Sequence, residues 1–101
     1  MRKAYDEVLE SYDVIAMPTI PFPAAKLPDS DCSREETITL ALNMQHNTCP
    51  FDVAGNPAFT VPCGMVGGLP IGVMFVGKHF DEATLIRMAD AFASTGDWKK
   101  R

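Results

Sequence analysis

His46 and Cys49 stand three residues apart, and Cys63 and His79 follow further along the chain. A thiol beside an imidazole is the minimum for nucleophilic cysteine chemistry, because the base removes the proton that keeps the sulfur unreactive. The same residues could begin a zinc site, which needs four ligands, usually in two close pairs. Here there is one loose pair and no second one. Cys63 lies inside an apolar strand pattern, where a cysteine serves as a small packing residue. Two carboxylate pairs could do acid–base work, Asp81 with Glu82 and Asp29 with Asp31. The start of a helix explains the first pair, and a solvated loop explains the second. Gly64, Gly67, Gly68 and Gly72 are dense enough for a phosphate cradle. They precede a strand, however, so no helix dipole points at an anion, and the lysine of a P-loop is absent. The residues therefore assign no catalytic, cofactor-binding or metal site, and no cofactor is expected.

The elements that would position these groups can be read along the chain. Ala4, Tyr5, Val8, Leu9 and Tyr12 recur at helical steps and predict a helix over Arg2–Tyr12. Asp13–Met17 is a short apolar run stopped by Pro18, which fits a buried strand. Pro18, Pro21, Pro23 and Pro28 then make a long extended crossing. Ser33, with Glu36 in capping-box register, opens a second helix reaching Met44. Pro50–Pro57 reads as turn-rich, with Gly55-Asn56-Pro57 as strong punctuation. Ala58–Cys63 is a strand with Phe59 and Val61 on one side and Thr60 on the other, and Pro62 demotes its end to an edge or bulge. Ile71–Val76 is a second strand, and the short link makes an antiparallel hairpin. Asp81 opens the clearest helix, running to Ser94, with Gly96 near its end and Trp98 folding back on the core.

A chain of 101 residues holds one domain at most. Its net charge of −4 argues against a nucleic-acid binder, which needs a basic face, and Lys99-Lys100-Arg101 is too short a tip to supply one. No apolar run is long enough to cross a bilayer. The start of the chain is charged and amphipathic, unlike a signal peptide, so a cytoplasmic protein is expected. Cys32, Cys49 and Cys63 then read as reduced thiols.

Taken in order, Met17-Pro18-Thr19, the Pro-rich crossing, Gly55-Asn56-Pro57-Ala58, Val61-Pro62-Cys63-Gly64, Gly68-Leu69-Pro70-Ile71-Gly72 and the final helix opening with Asp81-Glu82 form an ordered set. That set resembles the C-terminal end of the amidase signature family, and it covers essentially the whole chain. The resemblance implies an α/β fold: the C-terminal portion of the amidase signature fold, a mixed sheet flanked by helices. Residues 1–101 would be a single partial domain, incomplete on its own, whose missing N-terminal part lies upstream. It implies hydrolysis of a carboxylic acid amide to acid and ammonia by a Ser–Ser–Lys triad. Ser11, Ser30, Ser33 and Ser94 stand in no glycine-rich context, and Lys3, Lys26, Lys78, Lys99 and Lys100 match no part of the family's lysine motif. No triad residue carries over, so the chain is expected to be inactive alone. A small-molecule amide would bind only in the full-length enzyme. Self-association or pairing with the N-terminal part is expected, with no nucleic-acid or membrane partner. The Pro-rich crossing and the turn before Ala58 are expected near the acyl pocket. The rival reading is a stand-alone α/β interaction or assembly module.

Overall fold

The computed structural model describes all 101 residues. It contains α1 (Arg2–Ser11), β1 (Ile15–Pro18), α2 (Arg34–Asn43), α3 (Cys49–Ala54), β2 (Ala58–Val66), β3 (Leu69–Val76), α4 (Glu82–Ala93) and a 3₁₀ turn at Trp98–Lys100. The sheet has the order β1-β3-β2, and both pairings are antiparallel. The α/β class expected from the sequence holds, and within this chain the strands pair in one sense only.

The hairpin is tighter than the sequence suggested. Val66 pairs directly with Leu69, so Gly67 and Gly68 alone make the turn. Both have positive φ, 58° and 79°, the conformation that lets a two-residue turn follow the twist of its strands and that favours glycine. The register slips between Pro62 and Gly64, leaving Cys63 as the extra residue of a bulge. The edge and bulge expected at Pro62 are both present, and β2 runs on past Cys63 to Val66. Gly77 donates its N–H to the Pro57 carbonyl, so by alternation Pro62 sits where N–H groups face away from β3, and its missing donor is not needed.

The turn-rich reading of residues 50–57 is corrected in part: Cys49–Ala54 is a short helix with Pro50 in its first turn. Proline is tolerated there, because that N–H would lack a helical partner anyway. The punctuation that follows is as expected. Asn56 is buried at 8% exposure and donates its side-chain amide to the Gly77 carbonyl at 3.0 Å, tying the turn before β2 to the end of β3.

Helices cover both faces of the sheet. Phe51, Met74 and Val76 pack with Tyr5, Ile15 and Met17 on one side. Val61, Phe75, Leu85 and Ala89 pack with Val14, Val73 and Phe92 on the other. Trp98 is half-buried in the 3₁₀ turn, which packs on β2. The core is nevertheless small, with only 12 of 101 residues buried. The radius of gyration is 15.7 Å, against about 13 Å for a compact domain of this length. α2 buries none of its residues, and Ile38, Leu42 and Met44 stay exposed.

The capping box at α2 is complete. Glu36 N–H donates to Ser33 Oγ at 3.2 Å, while the Ser33 N–H donates to the Glu36 carboxylate at 3.0 Å and its hydroxyl at 2.8 Å. The Ser33 hydroxyl, the Ser33 N–H and the Cys32 thiol together hold the Glu36 pKa below the ordinary glutamate range. A depressed carboxylate adds stability that is full above its unfolded pKa and is lost as pH falls through the folded one. Acid titration followed by the Glu36 side-chain and Ser33 amide NMR signals should show the first turn of α2 opening below the usual carboxylate range. Glu36→Gln should remove that pH dependence. Asn56→Ala should cost about 1–3 kcal/mol in denaturant unfolding, because it strands a buried carbonyl.

Candidate functional site

The site is built where β1 hands over to the Pro-rich crossing. Three hydrogen bonds fasten that junction. The Thr19 N–H donates to the Gly72 carbonyl at 3.0 Å. The Thr19 hydroxyl donates to the Thr60 hydroxyl at 3.3 Å. The Asn47 side-chain amide donates to the Pro18 carbonyl at 2.9 Å. Thr19 and Thr60 can approach only because Gly72 lies between them. A Cβ at Gly72 would stand 2.9 Å from Thr60 Cγ2 and 3.0 Å from Thr19 Oγ1.

Beyond this junction, Ile20, Phe22 and their neighbouring prolines face Cys63, Pro70 and Ile71 of the hairpin across a cleft of about 520 Å³. The walls are mostly apolar, and no lysine, arginine, histidine or carboxylate lines them. Cys63, the bulge residue, presents the one thiol in the cleft. With no base on the walls to take its proton, this arrangement can bind and exclude water but cannot drive proton transfer. Its size is that of an ordinary small-molecule pocket.

The structure separates the residues whose spacing suggested other chemistry. His46 and Cys49 are both exposed and share a different hollow, beside Leu42 and Val53. His79 lies in a third hollow with Glu10 and Lys78. Its Nε2 comes within 3.3 Å of Asp6 Oδ1 without the alignment of a hydrogen bond. Asp29 and Asp31 flank an open depression with Glu35, and Lys26 approaches Asp29 at 3.9 Å. Asp81 precedes α4 as expected, although its carboxylate accepts from the Thr84 hydroxyl at 2.8 Å instead of from a backbone N–H. Glu82 is exposed in the first turn. No three His, Cys, Asp or Glu side chains converge closely enough to hold a metal ion. The fastening roles of Thr19, Asn47 and Thr60 are not visible in the sequence. They depend on strand register and on where the turn after α2 comes to lie, which no local pattern at those positions announces.

The Amidase family model matches residues 1–86, and the chain belongs to the amidase family. It is 50% identical over 91 residues to an uncharacterized protein in the nthA 5′ region of Rhodococcus erythropolis, covering 90% of this chain and 46% of that one. It is 44% identical to an enantioselective amidase of Rhodococcus rhodochrous, covering 97% of this chain and 19% of that protein. Among solved structures, a glutamyl-tRNA(Gln) amidotransferase subunit from Thermotoga maritima superposes with a TM-score of 0.71 at 35% identity, covering 85% of this chain and 18% of that one. The chain thus spans less than half the length of each of these relatives. No helix is long and apolar enough to cross a membrane.

Gly72→Ala should destabilise the chain by about 1–3 kcal/mol in chemical denaturation, the usual range for overpacking. Thr60→Ser, which removes the clashing methyl, should recover part of that loss in the double variant.

Proposed function

We infer that this chain forms one wall of an amidase that hydrolyses a carboxylic acid amide to acid and ammonia, and that the catalytic Ser–Ser–Lys groups lie outside it. The observation that carries this reading is the cleft: an apolar volume of about 520 Å³ with no charged side chain on its walls. Such a surface can hold the carbon skeleton of an amide. It offers neither an activated nucleophile nor a base to work on the carbonyl. The family match and the share of each relative that the chain spans support the same division of labour. The bare faces of α2 and the thin core fit a single partial domain that packs against more protein. One fold relative is itself named as a subunit, in keeping with a scaffold that works in company. The same reading places the protein in the cytoplasm.

Two measurements test the reading. The isolated chain should release no ammonia from aliphatic or aromatic amides above the buffer rate. Co-expressed with the Rhodococcus rhodochrous amidase lacking its matching segment, it should restore hydrolysis. Turnover by the isolated chain that survives replacement of Cys49 and Cys63 by alanine would overturn this account.

A further inference from the structure

The peptide unit that joins Pro18 to Thr19 is held at both of its ends. Its N–H, on Thr19, donates to the Gly72 carbonyl of β3 at 3.0 Å. Its C=O, on Pro18, accepts from the Asn47 side-chain amide at 2.9 Å. The chain has no cis peptide bond, so these two groups point in opposite directions from one rigid plane. A single bond would leave that plane free to pivot about the hydrogen-bond axis. Two bonds from opposite sides clamp it.

The clamp is firmer than what it holds. Gly72 belongs to β3, the strand with neighbours on both edges. Asn47 stands on a short turn that is itself well bonded: the Gln45 N–H donates to the Leu42 carbonyl, and the Thr48 and Cys49 N–H groups both donate to the Gln45 carbonyl. That turn leads into α3, whose Phe51 is buried against Met74 and Val76. The crossing is different. From Ile20 to Pro28 it makes no backbone–backbone hydrogen bond. Pro21, Pro23 and Pro28 each fix φ, so the segment is stiff yet unbonded along its length. A stiff segment takes its direction from its root. Here the root is the clamped peptide, and Ile20 and Phe22, which wall the cleft opposite Cys63 and Ile71, follow it closely. Both partners of the clamp lie inside this chain, so no further segment is needed to close it.

We propose that Asn47 is a positioning residue: by fixing the plane of the Pro18–Thr19 peptide it sets the angle at which the crossing leaves β1, and with it the width of the apolar cleft. Asn47 does not line the cleft, so it acts through Ile20 and Phe22. On the amidase reading above, which this step rests on, the same residue governs how bulky an acyl group the cleft admits.

Thiol labelling of the full chain tests the clamp. Cys63 lies on the cleft wall, and Cys32, beyond the opposite end of α2 from Asn47, supplies an internal reference. Asn47→Ala and Asn47→Asp should each raise the rate of Cys63 labelling by a maleimide, relative to Cys32, by about three- to tenfold, the factor that one lost hydrogen bond allows. The aspartate keeps the shape and loses only the donor. The far-UV circular dichroism spectrum should not change. In the co-expressed amidase both variants should raise KM for a bulky aromatic amide and leave kcat near that of the wild type, a split that lost stability alone does not produce. Should neither variant fold, amide exchange in the wild type decides: the Asn47 side-chain protons should exchange at least several-fold more slowly than those of Asn43 at the end of α2. A labelling ratio unchanged in both variants, a KM unchanged in an active enzyme, or an Asn47 amide that exchanges as fast as Asn43's would each overturn the proposal. An enzyme that never regains hydrolysis would instead sink the amidase reading, with the clamp still decided by the labelling ratio.

Discussion

The chain's two apolar layers meet through the end of β3, where Met74, Phe75 and Val76, with Gly77 just beyond the strand, are all buried. β3 has neighbours on both edges and helices on both faces, so each residue there is held from four sides. Met74 and Val76 anchor α1 and α3, while Phe75 anchors α4. Gly77 completes the run at the point where Leu85 comes closest, with a would-be Cβ 3.1 Å from Leu85 Cγ. A polar residue anywhere in this stretch would face desolvation without a partner. The rest of the fold is draped on this one strand, which explains how so thin a molecule keeps a defined shape.

That dependence also fixes the cleft. The wall contributed by the hairpin is the far end of β3 and the bulged end of β2. The wall contributed by the crossing is tied to β3 through the Thr19 N–H, to β2 through the Thr19 and Thr60 hydroxyls, and to the turn after α2 through the Asn47 side chain. The hairpin wall is thus set by backbone register, and the crossing is pinned to it by one backbone bond and two side-chain bonds. A site made this way has constant shape and little chemistry of its own. The exposed apolar residues elsewhere tell a parallel story. Phe80 is 94% exposed and holds a positive φ of 63°, a conformation that costs a non-glycine residue of order 1–3 kcal/mol.

Much of this was readable in the amino-acid order, where one local rule decided the outcome. Ser33 and Glu36 announced the capping box, and the glycines after Val66 announced the hairpin. The stripe Ala4, Tyr5, Val8, Leu9 and Tyr12 gave α1, although only Leu9 of it is buried, because periodicity marks a face without saying how much of it is covered. What escaped was set by position within a larger geometry. Pro50 reads as a breaker until its place in a first helical turn is known. Asn47 reads as a solvated turn residue until the Pro18 carbonyl is found 2.9 Å away. The α/β class and the family were legible because they rest on ordered motifs. Of the cleft, the Pro-rich crossing was expected beside a pocket and does line it, whereas the turn before Ala58 does not; the hairpin wall was not legible, since it comes from a segment far away in sequence.

The same separation bears on the order in which the molecule assembles. The Gly67-Gly68 turn lets β2 and β3 zip from adjacent residues, so that pairing carries a very small loop-closure penalty. β1 must instead be delivered across the whole intervening chain before Pro18 can meet Val73. Contacts of high sequence separation form late when local ones are this cheap. During synthesis α1 and β1 therefore wait without their sheet partner until the β2–β3 hairpin exists to receive them.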